Sequence, residues 1–185
     1  MNSKDIWRSV LYVILFVALF VLIQSISLVI GTQIVALLRG SEAVNGVNLS
    51  KDGECLAITA VISSLITFGL FVGMRWAPVS GNYLKTRPWG VLCWAALLGL
   101  GSILPMEFIF EKINLTMPSE TEAMFESIMK VSWGYVALGV MVPIAEEVVF
   151  RDGIQRVLQN VLGERNHWIA IMVPALIFGV IHFNL

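Results

Sequence analysis

Five long apolar runs constrain this chain more than any other feature of its sequence. Each run is close to the roughly 20 residues that a helix needs to cross about 30 Å of hydrocarbon. Only helices or closed barrels satisfy backbone hydrogen bonds inside a membrane, and these runs are far too long for barrel strands. The sequence therefore predicts an all-α fold, a polytopic transmembrane helical bundle with about five spans, at residues 10–30, 55–76, 89–110, 133–150 and 168–185.

The composition is typical of a membrane protein and argues against a nucleic-acid-binding protein. Hydrophobic residues make up 57% of the chain and charged residues 14%, and the mean hydropathy is +0.82. The net charge of −1 provides no basic surface for nucleic acid. We therefore expect the lipid bilayer as a partner, no nucleic acid, and one membrane-embedded domain over residues 1–185. The sequence contains no signal for a particular oligomeric state.

The distribution of Lys and Arg predicts how the chain is oriented. Lys4 and Arg8 before an apolar run resemble a signal peptide, but the run is long and no convincing cleavage site follows it, so we interpret it as a retained first span. A cytoplasmic N-terminus places eight of the 12 Lys and Arg residues inside and four outside. This excess agrees with the positive-inside rule, so we predict an integral membrane protein with a cytoplasmic N-terminus.

A short amphipathic helix is predicted before the fourth apolar run. Ser119 and Glu122 form a capping box, in which each side chain satisfies a free backbone N–H near the start of a helix. Apolar residues then repeat at helical spacing at Met124, Phe125, Ile128 and Met129. We expect this helix to lie on the membrane surface or on the bundle.

Two carboxylates and a guanidinium enter the fourth apolar run together, at Glu146, Glu147 and Arg151. Ionisable side chains at membrane depth cost several kcal/mol each, so they usually mark a functional site. Glu147 and Arg151 are four residues apart and can pair on one helical face. Glu146 is rotated by about 100° and remains free to accept a proton. Because Pro143 cannot donate to the carbonyl of Gly139, we expect a kink or local opening that admits water beside Glu146.

His182 is the second ionisable group that could act at this depth. The midpoint between Glu146 and His182 falls in the polar turn at residues 163–166. An antiparallel hairpin around that turn would place both side chains at one depth, each about 25 Å from the turn. Glu146 could then deprotonate a water, and His182 could orient the water or relay the proton. Arg151 and Asn184 are weaker candidates for stabilising a developing oxyanion.

A zinc site is the competing chemistry. Catalytic zinc takes three protein ligands and leaves one position open, and Glu146, Glu147 and His182 could be proposed as those ligands. The sequence has no His-Glu-x-x-His motif and no second histidine at membrane depth. We therefore predict a site with no metal and no cofactor.

The order Glu146-Glu147-x-x-x-Arg151 and then Phe178-x-x-x-His182 resembles two motifs of a known family. It is the CAAX protease and bacteriocin-processing family (CPBP, Abi-type), related to the type II CAAX prenyl endopeptidases. The resemblance covers about residues 133–185. It implies an intramembrane endopeptidase without an obligatory metal, in which Glu146 is the general base, His182 is its partner, and Glu147 and Arg151 support them. It also implies a peptide or membrane-protein substrate that is cut near the cytoplasmic side of a bacterial cytoplasmic membrane.

The chain departs from the family at its third motif, His-x-x-x-Asn or similar. In the family, those residues are thought to help hold the oxyanion, whereas this chain ends three residues after His182. We therefore expect a domain that is truncated at its C-terminus, and little or no proteolysis by the 185-residue form alone.

Two non-hydrolytic functions remain as alternatives. In a membrane immunity or scaffold protein of the same family, the charged cluster would be a buried structural network. In a transporter or proton-relay component, the Glu and His would carry protons across the membrane. Five spans without an inverted repeat make transport the least favoured of these functions.

Overall fold

The computed structural model describes residues 3–40, 48–78, 85, 87–114 and 118–182. Every regular element in these ranges is helical, so the all-α helical bundle predicted from the sequence is confirmed. Short 3₁₀ turns lie at Leu49–Lys51 and Glu164–Asn166. The helices are α1 (Ser3–Arg39), α2 (Gly53–Gly73), α3 (Trp89–Lys112), α4 (Ser119–Met129), α5 (134–162) and α6 (His167–His182).

Among the helices that are described, α1, α2 and α3 are long and apolar enough to cross a membrane. The fourth and fifth predicted spans correspond to α5 and α6. Neither reaches spanning length as one regular α-helix, because α5 is divided by π-helical segments and α6 has 16 described residues. The long apolar helices, each at least as long as the hydrocarbon core is thick, indicate an integral membrane protein.

Helix α5 alternates between α-helical and π-helical winding. The first π segment, Ala137–Met141, ends just before Pro143, where the sequence predicted a kink or opening. There the N–H of Val142 bonds to the carbonyl of Ala137, five residues back instead of four. A second π segment, Val148–Gln155, contains Arg151 and was not predicted. Such widened turns occur frequently at functional sites.

The chain divides into two compact units. One consists of Met1–Pro78 and Met124–Leu185, and the other of Val79–Ala123. The second unit contains α3, which has Pro105 inside the helix, and the first residues of α4. The first unit contains the rest of α4 together with α1, α2, α5 and α6, and the main core lies entirely within it.

The main core joins α1 and the end of α2 to α5. Phe16 and Phe71 are fully buried, and their ring centroids are 5.1 Å apart. Gly153 of α5 lies directly against both rings, since a Cβ atom there would be 3.0 Å from Phe71 and 3.3 Å from Phe16. Ile154 is completely buried beside it. This close packing anchors the second π segment and therefore helps to position Glu146 and Glu147, which lie just before it.

Helix α4 packs by its C-terminal end onto α2. It begins at Ser119, where the capping box predicted a helix start. Its buried residue Ile128 forms a small apolar cluster with Leu56 and Ala57 of α2. Met124 and Phe125 remain exposed, as expected for an amphipathic helix at a surface.

An ionic cluster ties the end of α1 to the start of α2. Arg39 donates to both carboxylate oxygens of Asp52, at 3.0 and 3.1 Å, and also to Glu54. Asp52 is the N-cap of α2 and accepts from the backbone N–H of Cys55 at 3.1 Å. Partial burial opposes ionisation of Asp52, but the hydrogen bonds from Arg39 and Cys55 outweigh it and lower the pKa of this carboxyl below its ordinary value.

We expect Asp52→Ala to lower the free energy of unfolding by about 1 kcal/mol, because it removes the N-cap of α2. Since the pKa of Asp52 is lowered in the folded state, its contribution is present above the ordinary aspartate value of about 4. The contribution is lost as the pH falls through the folded-state value. In detergent, the unfolding temperatures of the wild type and of Asp52→Ala should therefore differ at neutral pH. This difference should shrink on acidification. Glu54→Ala leaves the cap intact and should cost less, so an equal loss in both variants would contradict this role of Asp52.

Candidate active site

The site is built on a hairpin of α5 and α6. Helix α5 ends at Leu162, and Gly163 follows with a φ of 66°, a left-handed conformation that favours glycine after a helix. Helix α6 then begins at His167. The predicted hairpin is therefore present, and it brings together two residues that are 36 positions apart in sequence. Nε2 of His182 lies 3.2 Å from Oε1 of Glu146, as the equal-depth argument predicted.

Both ring nitrogens of His182 have partners. Nδ1 lies 2.9 Å from the carbonyl oxygen of Phe178, and because a carbonyl can only accept, Nδ1 carries a proton and donates it. Nε2 then either donates to the carboxylate of Glu146 or accepts from its protonated form. In both cases one proton is shared between the two side chains, so the pair can take up or release a proton.

A series of aromatic rings connects the imidazole to the main core. The ring of Phe178 stacks on His182 with centroids 4.0 Å apart and planes inclined by 25°. Phe150 meets Phe178 edge to face at 5.1 Å, and Phe20 of α1 meets Phe150 at 5.8 Å. The motif spacing had pointed to Phe178, but not to Phe150 or Phe20. In the sequence, Phe150 could have been singled out because it directly precedes Arg151.

Glu147 and Arg151 form the ion pair that their spacing predicted. Nε of Arg151 lies 3.1 Å from Oε2 of Glu147, and their side chains are 70% and 56% exposed respectively. Glu146, by contrast, has a side chain that is only 16% exposed. The two adjacent carboxylates therefore occupy different environments, since Glu146 is largely covered and pairs with a histidine while Glu147 is exposed and pairs with an arginine. The pairing is confirmed, whereas the catalytic roles of the four residues remain predictions.

A cleft of about 430 Å³ lies between α5 and α6 beside this pair, and its size suits a small ligand or a short peptide segment. The two walls differ in chemistry, since charged and amide side chains come from α5 while α6 contributes only apolar ones. The α5 wall consists of Pro143, Glu146, Glu147, Phe150, Arg151 and Gln155, and the α6 wall of Ile171, Pro174, Ala175 and Phe178.

The geometry around Glu146 does not gather the three ligands that a zinc site would need. Within the ranges that the structure covers, no group of three or more His, Cys, Asp or Glu residues could hold a metal ion. Glu147 pairs with Arg151, which leaves Glu146 and His182 as two potential ligands. Asn184, the other sequence candidate for oxyanion stabilisation, lies outside the described residues.

Comparison with known proteins identifies one family. Residues 128–185 match the family model described as type II CAAX prenyl endopeptidase Rce1-like. The match covers α5 and α6, and it confirms the resemblance to the CAAX protease family that the two motifs indicated. At the level of the family, it supports a CAAX-protease-type membrane endopeptidase. No curated protein and no solved structure matched the chain.

Proposed function

We propose that this protein is a glutamic-type intramembrane endopeptidase that hydrolyses a peptide bond with a water activated by Glu146 and His182. The observation that carries the proposal is the 3.2 Å hydrogen bond between these side chains at the edge of the cleft between α5 and α6. A largely covered carboxylate next to an imidazole can take up and release a proton beside a cleft whose opposite wall is apolar. The family match over these two helices supports the same reaction class.

Glu146 and His182 have complementary roles in the proposed reaction. Glu146 accepts a proton from a water in the cleft while the water oxygen attacks the carbonyl carbon of the substrate. The proton that the Glu146–His182 pair then holds passes to the amide nitrogen as the carbon–nitrogen bond breaks. Two products result, one with a new carboxyl group and one with a new amine. General acid–base catalysis of this kind contributes about 10²- to 10⁴-fold to the rate.

Arg151 is the candidate for stabilising the negative charge that develops on the substrate carbonyl oxygen. Its guanidinium lies on the cleft wall and has several N–H donors, of which Nε is used by Glu147. In this arrangement Glu147 orients Arg151, and the remaining donors are available to an oxyanion.

The proposed setting is the cytoplasmic membrane of a bacterium, with the N-terminus in the cytoplasm. This orientation places eight of the 12 Lys and Arg residues inside, including those around the hairpin turn. The cleft would then receive a peptide or membrane-protein substrate from the cytoplasmic side. A leader peptide or a bacteriocin precursor is a substrate of the appropriate kind.

Hydrolysis can be tested directly with isotopically labelled water. The full-length protein, meaning this chain together with any residues that its gene encodes after Leu185, would be placed in liposomes with a pool of single-span peptides whose cytoplasmic juxtamembrane residues are randomised. In water labelled with ¹⁸O, we expect mass spectrometry to show one labelled oxygen in the new carboxyl group of the N-terminal product. If the protein cleaved none of the peptides in the pool, the result would favour the immunity or scaffold alternative.

Chelators distinguish the proposed mechanism from the zinc alternative. Because Glu146 activates the water without a metal in this proposal, we expect a chelator to leave the cleavage rate unchanged. Loss of activity that zinc alone restores would instead indicate a metal-activated water.

A further inference from the structure

We infer that Gln155 is a substrate-binding residue, whose side-chain amide holds the backbone of the substrate about four residues from the scissile bond. The contact lies on the side of the bond that faces the hairpin turn. This inference rests on the proposed function, since it assumes that the cleft beside Glu146 holds a peptide. It adds a requirement for the substrate, which must continue as an extended segment as far as Gln155.

Gln155 lies on the same wall of the cleft as the charged pair. Glu147, Arg151 and Gln155 follow one another at intervals of four residues along α5, and all three line the cleft. Gln159 comes four residues later and is exposed, and it is not part of the cleft lining. Gln155 itself is half-buried. The described part of the chain provides no hydrogen-bond partner for its amide. An amide that pairs with no protein group is available to a bound ligand, which would replace the water that otherwise hydrates it.

The side chains of the opposite wall offer no hydrogen bonds to a bound peptide. It consists of Ile171, Pro174, Ala175 and Phe178, whose side chains are apolar. The backbone of Pro174 also has no N–H to offer. Side-chain partners for the N–H and C=O groups of a peptide in the cleft therefore come from α5.

Gln155 is the one side chain on the α5 wall that matches a peptide group. Its amide has both a donor and an acceptor, as a backbone peptide group does. Glu147 can only accept when ionised and Arg151 can only donate, and these two already pair with each other. Charged groups are suited to the reacting carbonyl, whereas a neutral amide is suited to uncharged backbone further along the substrate.

The distance along α5 sets the position of this contact in the substrate. Gln155 follows Glu146 by nine residues, which corresponds to at most about 13 Å, because the π-helical Val148–Gln155 rises less per residue than an α-helix. An extended peptide advances about 3.3 Å per residue, so the same distance is covered by about four residues. Because α5 runs from Glu146 towards the hairpin turn, the contact falls between the scissile bond and that turn.

The test compares Gln155→Leu with the matched control Gln159→Leu on the same helix. A peptide from the randomised pool that the full-length protein cleaves would serve as the probe. We expect Gln155→Leu to raise KM about three- to tenfold, which corresponds to the loss of one hydrogen bond, with little change in kcat. Gln159→Leu should behave as the wild type. Equal unfolding temperatures for the two variants would exclude a folding defect as the cause.

Changes in the substrate locate the contact. Replacing single backbone amides of the probe by esters removes one N–H at a time. We expect a penalty at the position about four residues from the cut in the wild type, and no penalty there in Gln155→Leu. The KM effect of Gln155→Leu should also vanish for a probe that ends before this position. An effect of equal size on long and shortened probes, or identical KM values for the two Gln variants, would overturn the inference.

A binding measurement separates this inference from the proposed function. A labelled peptide selected from the randomised pool by its binding to Glu146→Gln protein serves as the probe here. Its affinity for Glu146→Gln protein, with and without Gln155→Leu, can be followed by fluorescence anisotropy and needs no turnover. Weaker binding with Gln155→Leu supports the inference, whether or not the wild type cleaves a peptide. If the wild type cleaves none, the proposed function alone fails. Unchanged binding together with normal hydrolysis by the wild type refutes the inference alone.

Discussion

Replacing Glu146 by Gln is expected to lower kcat for peptide hydrolysis by about 10²- to 10⁴-fold, the range associated with losing a general base. The amide has nearly the same size as the carboxyl, and its oxygen can still accept from Nε2 of His182, which lies 3.2 Å from Oε1 of Glu146. It cannot, however, take a proton from water at neutral pH. Membrane insertion and the unfolding temperature should therefore stay close to those of the wild type, while the single-turnover rate of cleavage falls.

The adjacent residue supplies the control. Glu147→Gln changes the same functional group at the next position, but it weakens the exposed ion pair with Arg151 and leaves the Glu146–His182 hydrogen bond in place. Exposed pairs contribute about 0–1 kcal/mol, so we expect a rate loss of about fivefold or less. Wild-type turnover in Glu146→Gln would refute its role as the base. Equal losses in the two variants would show that the doublet acts as a unit.

Gly53→Ala is expected to lower the free energy of unfolding by about 1–3 kcal/mol, the usual cost of overpacking. A Cβ atom at Gly53 would overlap the backbone carbonyl of Ser127 at the end of α4. A backbone carbonyl cannot swing aside as the end of a flexible side chain can, so α4 would have to shift away from α2. Gly134, at the start of α5, approaches the carbonyl of Ile128 in the same way.

Another glycine of α2 provides a matched control for this prediction. Gly69 has nothing within 4 Å of a Cβ atom built on it. Gly69→Ala should therefore be neutral or stabilising by up to about 1 kcal/mol, because alanine has the higher helix propensity. Thermal unfolding in detergent measures both variants. An unfolding temperature for Gly53→Ala equal to or above that of Gly69→Ala would contradict the close approach of α2 and α4.

The sequence by itself determined the features that depend on local geometry. Apolar runs of membrane length indicated helices, because only helices satisfy their backbone groups within one segment. The pairing of Glu147 with Arg151 followed from the helical repeat, and the meeting of Glu146 with His182 followed from a constant rise per residue on both sides of one turn. The family resemblance depended on the same short motifs and was confirmed over residues 128–185.

Only the tertiary structure decided how this site is held and what else lines it. The π-helical winding at Val148–Gln155 is accompanied by close packing of Gly153 against Phe16 and Phe71, which are far from it in sequence. The aromatic series from Phe20 to His182 likewise joins three helices. The exposure of Gln155 to the cleft depends on the position of α6 opposite α5. Helical periodicity relates a residue to neighbours three or four positions away, whereas these contacts arise from the packing of distant segments, which periodicity does not encode.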